Sequence, residues 1–77
     1  MLKSFVGSYN ATGLHSLHTE DGLRLKHISR EGGTIPFWAI LESDVVPHIE
    51  RALWIGDRRT ALAILARNAK DAGSILD

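Results

Sequence analysis

The hydrophobic pattern of the chain changes period once, close to Glu42, and that change constrains the fold more than any other feature. Upstream, short apolar runs are cut by turns, and five of the seven glycines lie within residues 1–41. Downstream, over residues 43–72, apolar residues recur at three- and four-residue spacings, the period of an amphipathic helix. Strands followed by helices predict an α+β domain, with two C-terminal helices packed on one face of a three- or four-stranded antiparallel sheet. At 77 residues, a single domain over 1–77 is expected.

Leu23-Arg24-Leu25-Lys26-His27-Ile28 alternates apolar and polar residues, as a half-buried strand does. Ile35 to Leu41 is a continuous apolar strand candidate, and Arg30-Glu31-Gly32-Gly33 between the two is a hairpin signal. A three-residue loop, Glu31-Gly32-Gly33, pairs His27 with Phe37 and Leu25 with Ala39. One face then gathers Leu23, Leu25, Ile35, Phe37, Ala39 and Leu41, whereas a slip of one residue would set Arg24 and Lys26 beside Phe37. Thr19-Glu20-Asp21-Gly22 marks a further turn, with a strand before it over roughly Leu14 to His18. These strands form a meander. Leu2 to Tyr9 is a fourth strand or a loose arm.

Ser43 or Asp44 is placed to cap the first helix, with Pro47 in its first turn, where a missing N–H costs little. Val45, Val46, Ile49, Ala52 and Leu53 share its apolar stripe. Gly56 ends it and Asp57 caps the second helix. There, Ala61, Leu62, Ile64, Leu65, Ala69 and Ala72 share a face, and Gly73 is the stop.

The totals exclude several function classes. There is no cysteine, so disulfides and thiolate metal sites are ruled out. A chain this short buries only about 60% of its unfolded surface, so it depends on good packing, a partner, or a histidine-based metal site. The longest apolar runs are seven and six residues, Ile35 to Leu41 and Ala61 to Ala66, against about 20 for a membrane helix. Met1-Leu2-Lys3-Ser4 does not open a signal peptide, and a cytoplasmic location without membrane association is expected. Asn10-Ala11-Thr12 then fits a glycosylation acceptor only by chance. Nine basic residues balance nine acidic ones. Neutrality argues against generic nucleic-acid binding and removes the self-repulsion that opposes association.

No catalytic signature is present. Serines, histidines and acids occur, but no Gly-x-Ser-x-Gly, phosphate-cradling glycine loop or His-Glu-x-x-His does. The acids Glu20, Asp21, Glu31, Glu42, Asp44 and Asp57 sit at turns and caps, where local structure accounts for them. His15, His18, His27 and His48 follow no metal-ligand spacing, and unrelated polar histidines are the simpler reading. No enzyme activity, cofactor or metal is expected.

Two surfaces remain as binding candidates. Trp38 points away from the helix-covered face together with Ile40, and in the hairpin register Lys26 lies across from Trp38, within reach of its ring. Trp54 falls opposite the first helix's apolar stripe. Trp38, Ile40, Lys26, Arg24 and Trp54 are therefore the expected partner-binding residues, since aromatics flanked by cations anchor protein interfaces. The competing reading is a larger core, with Phe5, Val6 and Tyr9 closing over Trp38. The second surface is the outer face of the second helix, where Arg59, Arg67 and Lys70 cluster around Ala63 and Ala66. With two helices joined through Gly56-Asp57, the layout also fits a helix-turn-helix. A solvated basic face is the favoured reading, given zero net charge and acids close by at Glu50, Asp57 and Asp71.

The leading expectation is a small non-enzymatic module that binds another protein or complex. Regulators, subunits of assemblies, and inhibitors made by phages and mobile elements, anti-CRISPR proteins among them, share this size and lack of chemistry. No residue motif ties the chain to any of them. The alternatives are a nucleic-acid-binding regulator using Arg59, Arg67 and Lys70, and a homo-oligomer, a homodimer in its simplest form. Because the histidines lack ligand spacing, a chelator should leave the melting temperature unchanged; a fall of several degrees restored by zinc would refute this.

Overall fold

The computed structural model describes residues 1–19 and 34–74. Their order is β1 (Leu2–Asn10), β2 (Gly13–Thr19), β3 (Ile35–Glu42), α1 (Val46–Trp54), α2 (Arg58–Asn68) and β4 (Asp71–Ser74). The strands form one sheet in the order β2-β1-β3-β4, antiparallel throughout. The fold is α+β, a four-stranded antiparallel sheet with both helices on one face.

β1 is a central strand, not an arm. Phe5 and Val6 point to opposite faces and both are buried. Asn10 turns the chain into β2: its Oδ1 accepts from the Thr12 backbone N–H at 2.9 Å and from the Thr12 hydroxyl at 2.7 Å. Asn10-Ala11-Thr12 is thus a hairpin corner, as short polar side chains favour. Tyr9 pairs with Leu14 and Ser8 with Ser16, which leaves His15 as a bulge residue. The extra residue turns both Leu14 and Leu17 toward the helices.

β3 supplies the centre of the core. Phe37, Ala39 and Leu41 face the helices as the alternation predicts, and meet Val46, Ile49, Ala52, Ala61 and Leu65. Ile35, expected with them, is exposed at the strand's start. Its neighbours differ from the meander expectation. β1 pairs with all of β3, and β4 pairs with Phe37 to Ile40 on the other side. Phe37 is therefore flanked by Gly7 and Ser74, and Ala39 by Phe5 and Ala72, so neither is available to His27 or Leu25 in the expected register. The strand assigned to Leu23–Ile28, with Arg24 and Lys26, lies outside the described residues.

The helices keep their predicted faces but not all their ends. α1 buries Val46, Ile49 and Ala52, with Val45 and Leu53 packed beside them. Its N-cap is Val45, without a side-chain cap, in place of Ser43 or Asp44. Backbone bonds serve the turn instead: Val45 N–H donates to Glu42 O, and Pro47 removes one donor a cap would serve. α2 starts at the Asp57 cap as expected but stops at Asn68, short of Ala72. Lys70 N–H donates to Ile40 O at 2.7 Å, and the chain returns to the sheet as β4.

Two close approaches explain that return. Phe37 lies directly across from Gly7 and Trp38 directly across from Gly73. A Cβ on Gly7 would overlap the Ser16 carbonyl oxygen and come within 3.1 Å of the Phe37 ring. A Cβ on Gly73 would lie 2.8 Å from the Trp38 indole. Each ring rests on the glycine of a neighbouring strand, on opposite sheet faces. Gly73, expected as a helix stop, is the seat of Trp38. Gly7→Ala should destabilise by about 2–3 kcal/mol, the upper part of the usual cost of overpacking, because it meets backbone and ring together. For a domain this size that is a fall of roughly 10 °C or more in melting temperature. In Gly73→Ala the obstacle is one side chain, so adding Trp38→Leu should recover part of the loss. Strictly additive effects in that double-mutant cycle would show that the ring and the glycine are not coupled.

Candidate docking surface

The α1–α2 corner carries the most exposed aromatic among the described residues. Trp54 ends α1, one position past the buried side of the helix, and is 89% exposed; Ile55 follows at 67%. Three backbone donors close the turn: Ile55 N–H to Arg51 O, Gly56 N–H to Leu53 O, and Asp57 N–H to Ala52 O. Asp57 then fixes the start of α2, accepting from Thr60 N–H at 3.1 Å and from the Thr60 hydroxyl at 2.7 Å. Trp54 therefore stands on a corner whose backbone bonds are made locally.

Two shallow hollows flank the indole. One, about 540 Å³, is lined by Glu50, Arg51, Trp54 and Ile55. The other, about 400 Å³, lies toward β2 and is lined by Ser16, Leu17, His18, Glu50, Leu53 and Trp54. Arg51, Arg58 and Arg59 around the corner are all exposed. Among the described residues the ion pair formed is between the Met1 amino group and Glu42, which leaves these arginines without one.

The other predicted site residues lie elsewhere. Trp38 and Ile40 are on the sheet face away from the helices, as expected, but are half-buried. On that face Val6 is 4% exposed, and Pro36 is fully buried. It is not a bare apolar patch. Arg24 and Lys26, with the Lys26–Trp38 contact, lie outside the described residues. Arg59 and Arg67 are exposed on the outer side of α2, about 80° apart. Lys70 is not on the helix; it leads into β4, so the three cations do not form one helical stripe.

Among the described residues, one approach between a hydroxyl and an imidazole stands out. Thr12 and His15 approach, Oγ1 to Nε2 at 3.3 Å, but the Thr12 hydroxyl donates to Asn10, which makes it a lock on the hairpin. Among the described residues no group of three or more His, Asp or Glu is placed to hold a metal, and His27 lies outside them. A groove of about 610 Å³ between α2 and the sheet is walled by Tyr9, Phe37, Leu62, Leu65 and Ala69; among the described residues Tyr9 is the one ionisable group lining it. Among the described residues no helix is long and apolar enough to cross a membrane.

Ile55, Arg51 and Arg58 were not singled out by the sequence reading, although a signal was there. Residues 51–70 hold Arg51, Arg58, Arg59, Arg67 and Lys70 against the single acid Asp57, a net of +4, while the remainder of the chain carries −4. The neutral total conceals this segregation.

Thr60's side-chain hydrogen bond, then its backbone one, hold the Asp57 carboxyl below its ordinary value of 3.8. A group whose folded-state pKa is lowered stabilises the fold in full above the unfolded value, and that stabilisation is lost as the pH falls through the folded value. Asp57→Ala should therefore lower the melting temperature at neutral pH, and the gap from wild type should close as the pH drops below 3.8. A gap independent of pH would show that the ionised carboxylate is not its source. No protein-family model, curated protein or solved structure matches this chain.

Proposed function

We propose that the chain is a non-enzymatic protein-docking module whose anchor is Trp54, with Ile55 beside it, on the α1–α2 corner. The observation that carries this reading is the 89% exposure of Trp54 on a turn held by its own hydrogen bonds. A tryptophan in water forgoes a large apolar gain, and Trp and Arg are the residues most enriched at the energetic centres of interfaces. A preset corner also reduces the ordering cost of binding. An inhibitor or regulator of a larger complex acts through such a surface, and the anti-CRISPR type is one candidate within that class. Trp38 takes the supporting role, seated on Gly73.

Trp54→Ala should cost little stability, within about 0.5 kcal/mol as for other surface changes. It should weaken capture of the partner from source cells by about 2 kcal/mol or more, the level of a hot spot. Trp38→Ala should do the reverse, with a stability loss approaching the ~3 kcal/mol of a core aromatic truncation. Solution mass of both variants belongs in the same experiment, because a dimer dispersed by Trp54→Ala would identify a second copy as the partner. Retention of the partner by Trp54→Ala, with loss in a folded Trp38 variant such as Trp38→Phe, would return the site to the sheet face.

A further inference from the structure

We infer that the partner segment received at the α1–α2 corner is acidic, an Asp/Glu-rich protein surface that also offers an apolar hollow to Trp54 and Ile55. This rests on the docking reading and names its chemistry. Three observations point the same way. Residues 51–70 carry a net charge of +4 within a neutral chain, and the cations nearest Trp54 in sequence, Arg51, Arg58 and Arg59, are exposed and outnumber the nearest acids, Glu50 and Asp57. Among the described residues none of the three forms an ion pair.

The third observation concerns α2 itself. Its first turn holds Arg58 and Arg59 and no acid. The helix dipole puts partial positive charge there, so acids stabilise a first turn and arginines oppose it. Two arginines at that place are explained by what they face and not by the helix they begin. Asp57 at the N-cap answers the dipole itself, but neither arginine is paired with a carboxylate among the described residues, and an acidic segment supplies one with the forked geometry that guanidinium groups pair best. Nucleic acid satisfies the charge less completely. Ile55 gains only by apolar burial, which a phosphate backbone does not provide, and Lys70 stands off the helix that would carry the contacts.

The test is selection of random peptides displayed on phage against the wild-type protein, with depletion on Trp54→Ala. The expected survivors are net acidic and contain at least one Leu or aromatic residue. Their synthetic versions should bind more weakly as salt rises from about 50 to 200 mM. Arg58→Glu/Arg59→Glu should lose affinity for them by at least about tenfold. That variant should melt at or above the wild-type temperature, because its new acids suit the first turn. A purely structural role for the arginines predicts a lower melting temperature instead. Trp54-dependent survivors that are neutral or basic would overturn the acidic chemistry and leave the docking reading standing. Absence of any Trp54-dependent peptide would reject the proposal; the docking reading would fall with it only if Trp54→Ala also kept its cellular partner. A tight complex of the wild type with a DNA duplex, lost in Arg59→Glu, would replace the acidic protein by nucleic acid.

Discussion

Two aromatic residues in succession on β3 need a glycine on each side, and the rest of the sheet is arranged around that need. Consecutive strand residues point to opposite faces, so Phe37 and Trp38 cannot share a seat. Phe37 takes Gly7 of β1 on the helix side, where its ring also meets Tyr9 at a centroid distance of 5.6 Å. Trp38 takes Gly73 of β4 on the other side. Large rings over glycine shield backbone that has no side chain of its own and pin the register. A slip of one residue in β1 would bring Val6 or Ser8 under Phe37; a slip in β4 would bring Ala72 or Ser74 under Trp38. Either change sets a Cβ where the rings now lie.

The same constraint ends α2. Ala69 to Ala72 continue the helical stripe and are mostly good helix formers, so local propensity favours another turn. The chain leaves the helix at Ala69, in extended geometry, while the Asn68 side chain donates to the Ile64 carbonyl at 2.8 Å. Propensity differences of a few tenths of a kcal/mol per residue are small beside a strand's hydrogen bonds and the burial of part of an indole. Tertiary packing decides, and Gly73 is used by the sheet.

What was legible follows from which interactions are local. The Ile35–Leu41 strand and the division of its faces follow from alternation, and the stripe of α1 with Trp54 outside it follows from the 100° period. Asp57 reads as a cap because its partner, Thr60, is three residues away. The strand neighbours were not legible, because they depend on pairs such as Phe37–Gly7, thirty positions apart. Consecutive strands usually pair, and that default placed Leu23–Ile28 beside β3. Leu2 to Tyr9 reads as either a fourth strand or an arm, because a glycine within it weakens a strand unless a ring covers it. Trp38's face was legible from parity. Its seat was not, since Gly73 lies across the whole helical segment.

Net charge was read as a sum over the whole chain. A total of zero argues against a charged partner only if the charges are mixed on the scale at which a partner senses them. That scale is about 8 Å at physiological salt, shorter than α2, whose eleven residues span about 16 Å. Under the proposed docking reading, a segment approaching Trp54 responds to Arg51, Arg58 and Arg59, which outnumber the neighbouring Glu50 and Asp57, and very little to acids farther off, such as Glu42, which is already engaged by the Met1 amino group. Neutrality and a cationic docking corner are compatible. The first suppresses non-specific attraction of polyanions over long distances, and the second acts only once the apolar pair at 54 and 55 is already near contact. In the proposed docking reading, selectivity arises from requiring both, because a polyanion without an apolar hollow leaves Trp54 and Ile55 in water, and an apolar surface without carboxylates leaves three arginines to be desolvated unpaired.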